Sequence, residues 1–132
     1  MVLAFMAKAK TFEFEISEID QYVIDKAREL RVKKGMSQLD LSISMNLAEG
    51  TIAKIENPTQ TAKYNIRHIN LLSKALGCSP KDFFPEHALA NDVVRLKIRV
   101  IKNTANAKGQ PNYEVLKKQA VEGKGKKVNG EK

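Results

Sequence analysis

The sequence predicts a mainly α domain: five short helices within residues 17–86, a short strand on either side of them, and a basic tail. Three observations lead to this fold class. Helix-start signals recur, with Ser17, Ser37, Asn65 and Ser79 each placed to cap the backbone N–H groups that follow. Two segments, Thr11–Ser17 and Val94–Val100, alternate apolar and charged residues at the period of a half-buried strand. The end of the chain, Gly123 to Lys132, is mostly Gly, Lys, Asn and Glu and has too little apolar surface to bury.

In chain order, the first strand sets Phe12, Phe14 and Ile16 on one face and Glu13 and Glu15 on the other. The second sets Val94, Leu96, Ile98 and Val100 against Arg95, Lys97 and Arg99. Their outer faces carry opposite charge, which predicts that they pair, within one chain or between protomers. The alternative is two unrelated edge strands or an amphipathic tail helix. Between them, Ser17-Glu-Ile-Asp20 opens a first helix with Tyr22, Val23, Ala27 and Leu30 on one face, ended by Gly35. Ser37-Gln-Leu-Asp40 opens a second, with Leu39, Leu41 and Met45, stopped by Asn46, which tolerates a left-handed backbone.

A third helix is expected over Glu49–Glu56 and is closed by Asn57-Pro58, because the residue before proline is pushed out of the helical region. After the polar loop Thr59–Tyr64, Asn65 caps a fourth helix that turns Ile66, Ile69, Leu72 and Leu76 inward and ends at Gly77. Ser79-Pro-Lys-Asp82 starts a short fifth helix carrying Phe83 and Phe84, stopped by Pro85. The expected organisation is an N-terminal arm over 1–16, a helical domain over 17–86, a connector with a basic strand over 87–102, and a basic, largely disordered tail over 103–132.

Composition bounds the function. At 132 residues, with 42% hydrophobic and 29% charged, the chain reads as one soluble domain rather than a multidomain enzyme. The apolar stretch Met1–Ala7 is too short to span a membrane and has no basic region before it, so a cytoplasmic location is expected. One cysteine excludes an internal disulfide, and two histidines with one thiol offer no obvious zinc site. The net charge of +8 is uneven: residues 1–86 hold 12 Lys/Arg against 11 Asp/Glu, and residues 87–132 hold 11 against 4. Such a basic excess suits a polyanionic partner.

The segment from the second to the third helix, joined across Asn46-Leu47-Ala48, has helix-turn-helix spacing. Five fragments in order carry a wider resemblance over Tyr22–Pro85: Arg31 with Gly35-Met-Ser-Gln38, Leu41-Ser42, Asn46-Leu47, Thr51-Ile-Ala-Lys-Ile-Glu-Asn57, and Leu72-Ser-Lys-Ala-Leu-Gly77 followed by Ser79–Phe84. This pattern resembles the Cro and lambda-repressor-like helix-turn-helix regulators. The resemblance implies a small residue at Ser42 where the second and third helices cross, with Ile52 beneath it. It also implies an Arg31–Glu56 ion pair between the first and third helices, whose alternative is two solvated charges.

On DNA, the same resemblance lays the third helix in the major groove. It then implies base contacts from Glu49, Gly50, Thr51, Ala53 and Lys54, with Ala53 against a thymine methyl and Lys54 donating to guanine. Gln38, Lys63, Tyr64, Asn65 and Arg67 would hold phosphates. The chain departs from the family at the start of the reading helix. Ala48 stands where a capping Ser or Thr is common, which leaves the helix end prone to fray, and the Glu49 carboxylate is repelled by phosphates. Modest specific affinity follows.

No catalytic constellation, metal site or cofactor is expected. The reading is a repressor-type regulator that binds double-stranded DNA, as a homodimer on an inverted repeat. Alternatives are the antitoxin of a toxin–antitoxin pair, with the toxin as protein partner, and a protein- or RNA-binding adaptor.

Overall fold

A computed structural model of the chain describes residues 10–101 and 113–121. Its elements are β1 (Thr11–Ser17), α1 (Glu18–Lys33), α2 (Gln38–Ser44), α3 (Thr51–Glu56), α4 (Ile66–Leu76), a 3-10 turn (Pro80–Phe83), β2 (Val93–Val100) and β3 (Tyr113–Ala120). The strands form one antiparallel sheet in the order β1-β2-β3. The two alternating segments thus pair within one chain, with Glu15 opposite Arg95 and Glu13 opposite Lys97. Arg95 Nη2 donates to Glu15 Oε2 at 2.7 Å. On the other face Val94, Leu96 and Ile98 are buried and join Ile16 and Tyr113 in the core.

Every helix contributes to that core. Ala27, Leu41, Ile52, Leu72 and Phe83 have no exposed surface, and Met45 is likewise buried. Ser17, Ser37, Asn65 and Ser79 cap α1, α2, α4 and the 3-10 turn through their side-chain oxygens. Gly35, Asn46 and Gly77 adopt positive φ at the ends of α1, α2 and α4, a backbone region that glycine enters without strain and asparagine at little cost.

Several expectations change. The third helix begins at Thr51 rather than Glu49, because residues 49 and 50 form a turn before it. The fifth helix is a four-residue 3-10 turn that buries Phe83 but leaves Phe84 half out, since Pro85 allows no further turn. Leu39 and Ile66 lie on the surface, Ile66 at 82% exposure. Both sit in the first turn of a short helix, where helical spacing alone brings no neighbouring element over them. Residues 113–120, within the expected disordered tail, form β3. Gly123–Lys132 lies outside the described residues.

The buried polar groups are concentrated where α1 meets α3. Arg31 donates from Nε to Glu56 Oε2 at 3.0 Å, from Nη2 to Oε1 at 2.7 Å, and from Nη1 to the Met36 carbonyl at 2.9 Å. Both side chains are about 96–97% removed from water, with 4% and 3% exposure. Gln38 Nε2 adds a third bond to the Glu56 carboxylate at 2.9 Å. A buried pair earns little over an apolar pair, but breaking one side leaves an uncompensated charge. β3 is fastened to α1 through Tyr113, whose hydroxyl lies 3.3 Å from Arg28 Nη2, and through Lys118, 3.0 Å from Glu18.

Two predictions follow from these contacts. Arg31→Leu or Glu56→Leu alone destabilises the fold by roughly 3–5 kcal/mol in urea unfolding, and the double Leu variant loses much less than the sum; additive losses would mean that the charges do not act as a pair. The second concerns pH. In the α4 capping box His68 Nδ1 accepts from the Asn65 N–H at 3.0 Å, while Asn65 Oδ1 accepts from the His68 N–H at 2.8 Å. Desolvation, and then Arg67, hold the imidazole below its ordinary value of 6.5. A lowered folded-state value means that the stabilisation is complete above the unfolded value and is lost as pH falls through the folded one. The thermal midpoint of the wild type therefore drops more between neutral pH and pH 5 than that of His68→Gln, and equal drops would remove His68 from the account.

Candidate nucleic-acid interface

Residues 37–56 build two short helices around one tight turn. A left-handed Asn46 ends α2, and the chain then runs through Leu47 and Ala48 into the 49–50 turn and α3. α3 has only six residues and would not persist alone. Its N-cap is Gly50, and no side chain caps it locally. The hydroxyl of Ser42, on α2, supplies what is missing: the Ile52 N–H donates to Ser42 Oγ at 3.2 Å, and both residues are fully buried.

Ser42 thus does more than let two helices cross closely. It stands in for the side chain that the Gly50 cap lacks, whereas Ala48, the expected cap, lies two residues earlier and accepts the Thr51 N–H through its carbonyl at 3.0 Å. Sequence spacing could not reveal this, because the acceptor belongs to another helix. At the far end of α3, Glu56 is held by Arg31 and Gln38. Ile52, Ile55 and Glu56 face inward, so Ala53 and Lys54 are left exposed and Thr51 half-exposed. Glu49 and Gly50 are exposed in the preceding turn, so they lead into the helix rather than form its first turn.

The flanking residues divide into those that face outward and those with structural duties. Arg67 is exposed near the start of α4, and Asn65 is exposed but commits its side-chain oxygen to the cap. Lys63 is partly buried and donates to the Thr61 carbonyl at 3.0 Å. Gln38 uses its amide on Glu56 and so couples the start of α2 to the ion pair. Tyr64 departs from expectation: it is 9% exposed, with its hydroxyl buried and without a hydrogen-bond partner among the described residues. Burial pushes its phenol well above the ordinary range, and its ring meets His68 edge-on instead of facing solvent.

The electrostatic balance of the helical unit is mildly positive, with nine Lys/Arg and five Asp/Glu over residues 27–85. Arg31 and Glu56 cancel each other internally. Grooves of about 290 and 370 Å³ flank the sheet, one between β1 and the 57–63 loop and one between α1 and the inner sheet face. Neither is lined by Thr51, Ala53 or Lys54. Cys78 is half-buried, and desolvation followed by Asp82 raises its thiol, which keeps it protonated. Among the described residues no three or more His, Cys, Asp or Glu side chains converge on a metal site, and no helix is long and apolar enough to cross a membrane.

Comparison with curated proteins and with solved structures returns no match. Residues 27–85 match the family model for Cro/C1-type helix-turn-helix DNA-binding domains. The stretch from Ala27 in α1 through the 3-10 turn therefore carries a Cro/C1-type helix-turn-helix DNA-binding domain.

Proposed function

We propose that this chain is a repressor-type transcription regulator that reads an inverted repeat as a homodimer, in the cytoplasm and on the nucleoid. The observation that carries the reading is the outward face of α3. Its inner face is fully occupied by the core and the ion pair, while Ala53 and Lys54 have no structural role among the described contacts. In a major groove, Lys54 is the donor suited to guanine O6 and N7, Ala53 suits a thymine methyl, and Thr51 suits either type of base edge. Glu49 and Gly50 reach the groove from the turn ahead of the helix, the carboxylate as an acceptor from cytosine N4.

Phosphates are assigned to Arg67, Lys63 and the Asn65 region beside the groove, with the free N–H groups at the start of α2 contributing near Gln38. Tyr64 is withdrawn from this set because its hydroxyl is buried. The reaction repertoire is binding alone, with no catalytic step and no cofactor. A second reading, an adaptor that binds protein or RNA, draws its support from the exposed Glu49 carboxylate on the same surface.

The two contact classes respond differently to substitution. Lys54→Ala should cost about 1–3 kcal/mol on the selected site and relax preference at one base pair, whereas Arg67→Ala should weaken all sites alike and reduce the salt slope by about one. Binding-site selection from a random DNA pool, run for wild type and both variants, reads these outcomes. An unchanged base preference in Lys54→Ala would count against groove reading by α3.

A further inference from the structure

β3 is held over α1 at two points, and the space between them is not filled. At one end the Tyr113 hydroxyl meets Arg28, and at the other Lys118 meets Glu18. These anchors lie ten residues apart on α1, a span of about 15 Å along a helix. Both use long polar side chains, which prop the sheet away from the helix where apolar side chains would interlock. Between the props Val115 faces inward, paired with the buried Ile98, yet keeps 52% of its surface exposed. The result is the groove of about 370 Å³, whose apolar wall is Val94 and Leu96 of β2, Val115 of β3, Tyr22 of α1 and Leu89 from the loop ahead of β2. That volume lies at the lower end of the range for small-molecule sites.

The polar end of the groove has donors left over. The Arg28 side chain lines it and is only 9% exposed. Its Nη1 and Nη2 both donate to one oxygen of Asp25, which also accepts from Gln21, and Nη2 donates to the Tyr113 hydroxyl as well. Nε has no acceptor among the described residues, and neither has the Tyr113 O–H proton. Nε and Nη2 share one edge of the guanidinium, the edge by which Arg31 grips Glu56. On Arg28 the two open donors, Nε–H and Tyr113 O–H, therefore lie side by side. A guanidinium this far from water with an unfilled donor carries a desolvation cost that an added acceptor recovers.

The rest of the lining selects the charge of that acceptor. Glu18 is paired with Lys118 and Asp25 with Arg28, so the two acids and two bases of the groove already balance. A dianion would meet both carboxylates, and a cation would meet Arg28. We infer that the groove binds a small apolar monocarboxylate, with one carboxylate oxygen on Arg28 Nε, the other on the Tyr113 hydroxyl, and the hydrocarbon body against Val94, Leu96, Val115 and Leu89. The ligand occupies space that neither the core nor the outward face of α3 uses.

NMR titration of the isotope-labelled full chain tests this, with phenylacetate as the probe. Saturable shifts are expected at the Gln21, Asp25, Leu89 and Val115 amides, with a Kd of about 0.1–1 mM. Phenethyl alcohol and phenethylamine keep the ring but not the carboxylate, and each should bind at least about tenfold more weakly. Tyr113→Phe removes one of the two donors and should weaken phenylacetate by about tenfold. Val115→Trp fills the groove from its exposed side and should abolish the shifts, with circular dichroism confirming the fold of both variants. No saturable shift with phenylacetate, equal affinity for the alcohol or the amine, or a folded variant that binds as wild type does would overturn the assignment. The titration contains no DNA, so its outcome is separate from the reading of α3.

Discussion

The Glu56 carboxylate is the point on which the domain's geometry turns. It accepts from Arg31 on α1 and from Gln38 at the start of α2, while the same guanidinium holds the Met36 carbonyl in the turn between them. Charges taken this far from water tolerate little misalignment, since each lost hydrogen bond leaves a desolvation cost unmet. The pair therefore contributes less as net stability than as a restraint on where α3 ends relative to α1 and α2. Ser42 does the corresponding work where α3 begins. Six residues too few to form a helix alone are fixed at both ends by groups that belong to other elements, and their outer side chains are left without structural duty.

The sheet bears on this unit indirectly. It adds Val94, Leu96, Ile98, Ile16 and Tyr113 to a core that five short elements could fill only thinly. Residue 91, just before β2, and β3 are likewise tied to α1: Glu18 accepts from Lys118, which holds its carboxyl below the usual range, and from the Asn91 N–H, and Tyr113 meets Arg28 one turn before Arg31. Residues that position α3 and residues that attach the sheet thus share α1. Its inner surface is the common support of α3 and of β3.

The parts of this architecture legible in sequence were those written in local chemistry. Caps at Ser17, Ser37, Asn65 and Ser79, left-handed ends at Gly35, Asn46 and Gly77, and the charge-complementary alternation of β1 and β2 each depend on neighbouring residues, and each appears in the structure. The illegible parts depend on contacts between distant residues. β3 carries adjacent apolar residues, Val115-Leu116, and adjacent charges, Lys117-Lys118, so the bulge erases the period that would mark a strand. Ser42 caps a helix other than its own, and the burial of Tyr64 is set by elements remote in sequence. The Asn65 to His68 spacing did carry a readable signal for a reciprocal cap, with the imidazole in the place usually held by an acid or amide.

The central claim is that α3 is a helix anchored at both ends rather than a loosely attached turn, and native-state amide hydrogen exchange tests it most directly. The Ile52 and Ile55 N–H groups should open with free energies close to that of global unfolding, matching core amides such as Ile69 and Leu72. Exchange at Ile52 and Ile55 through a low-energy local opening, while the α4 amides stay protected, would contradict the account.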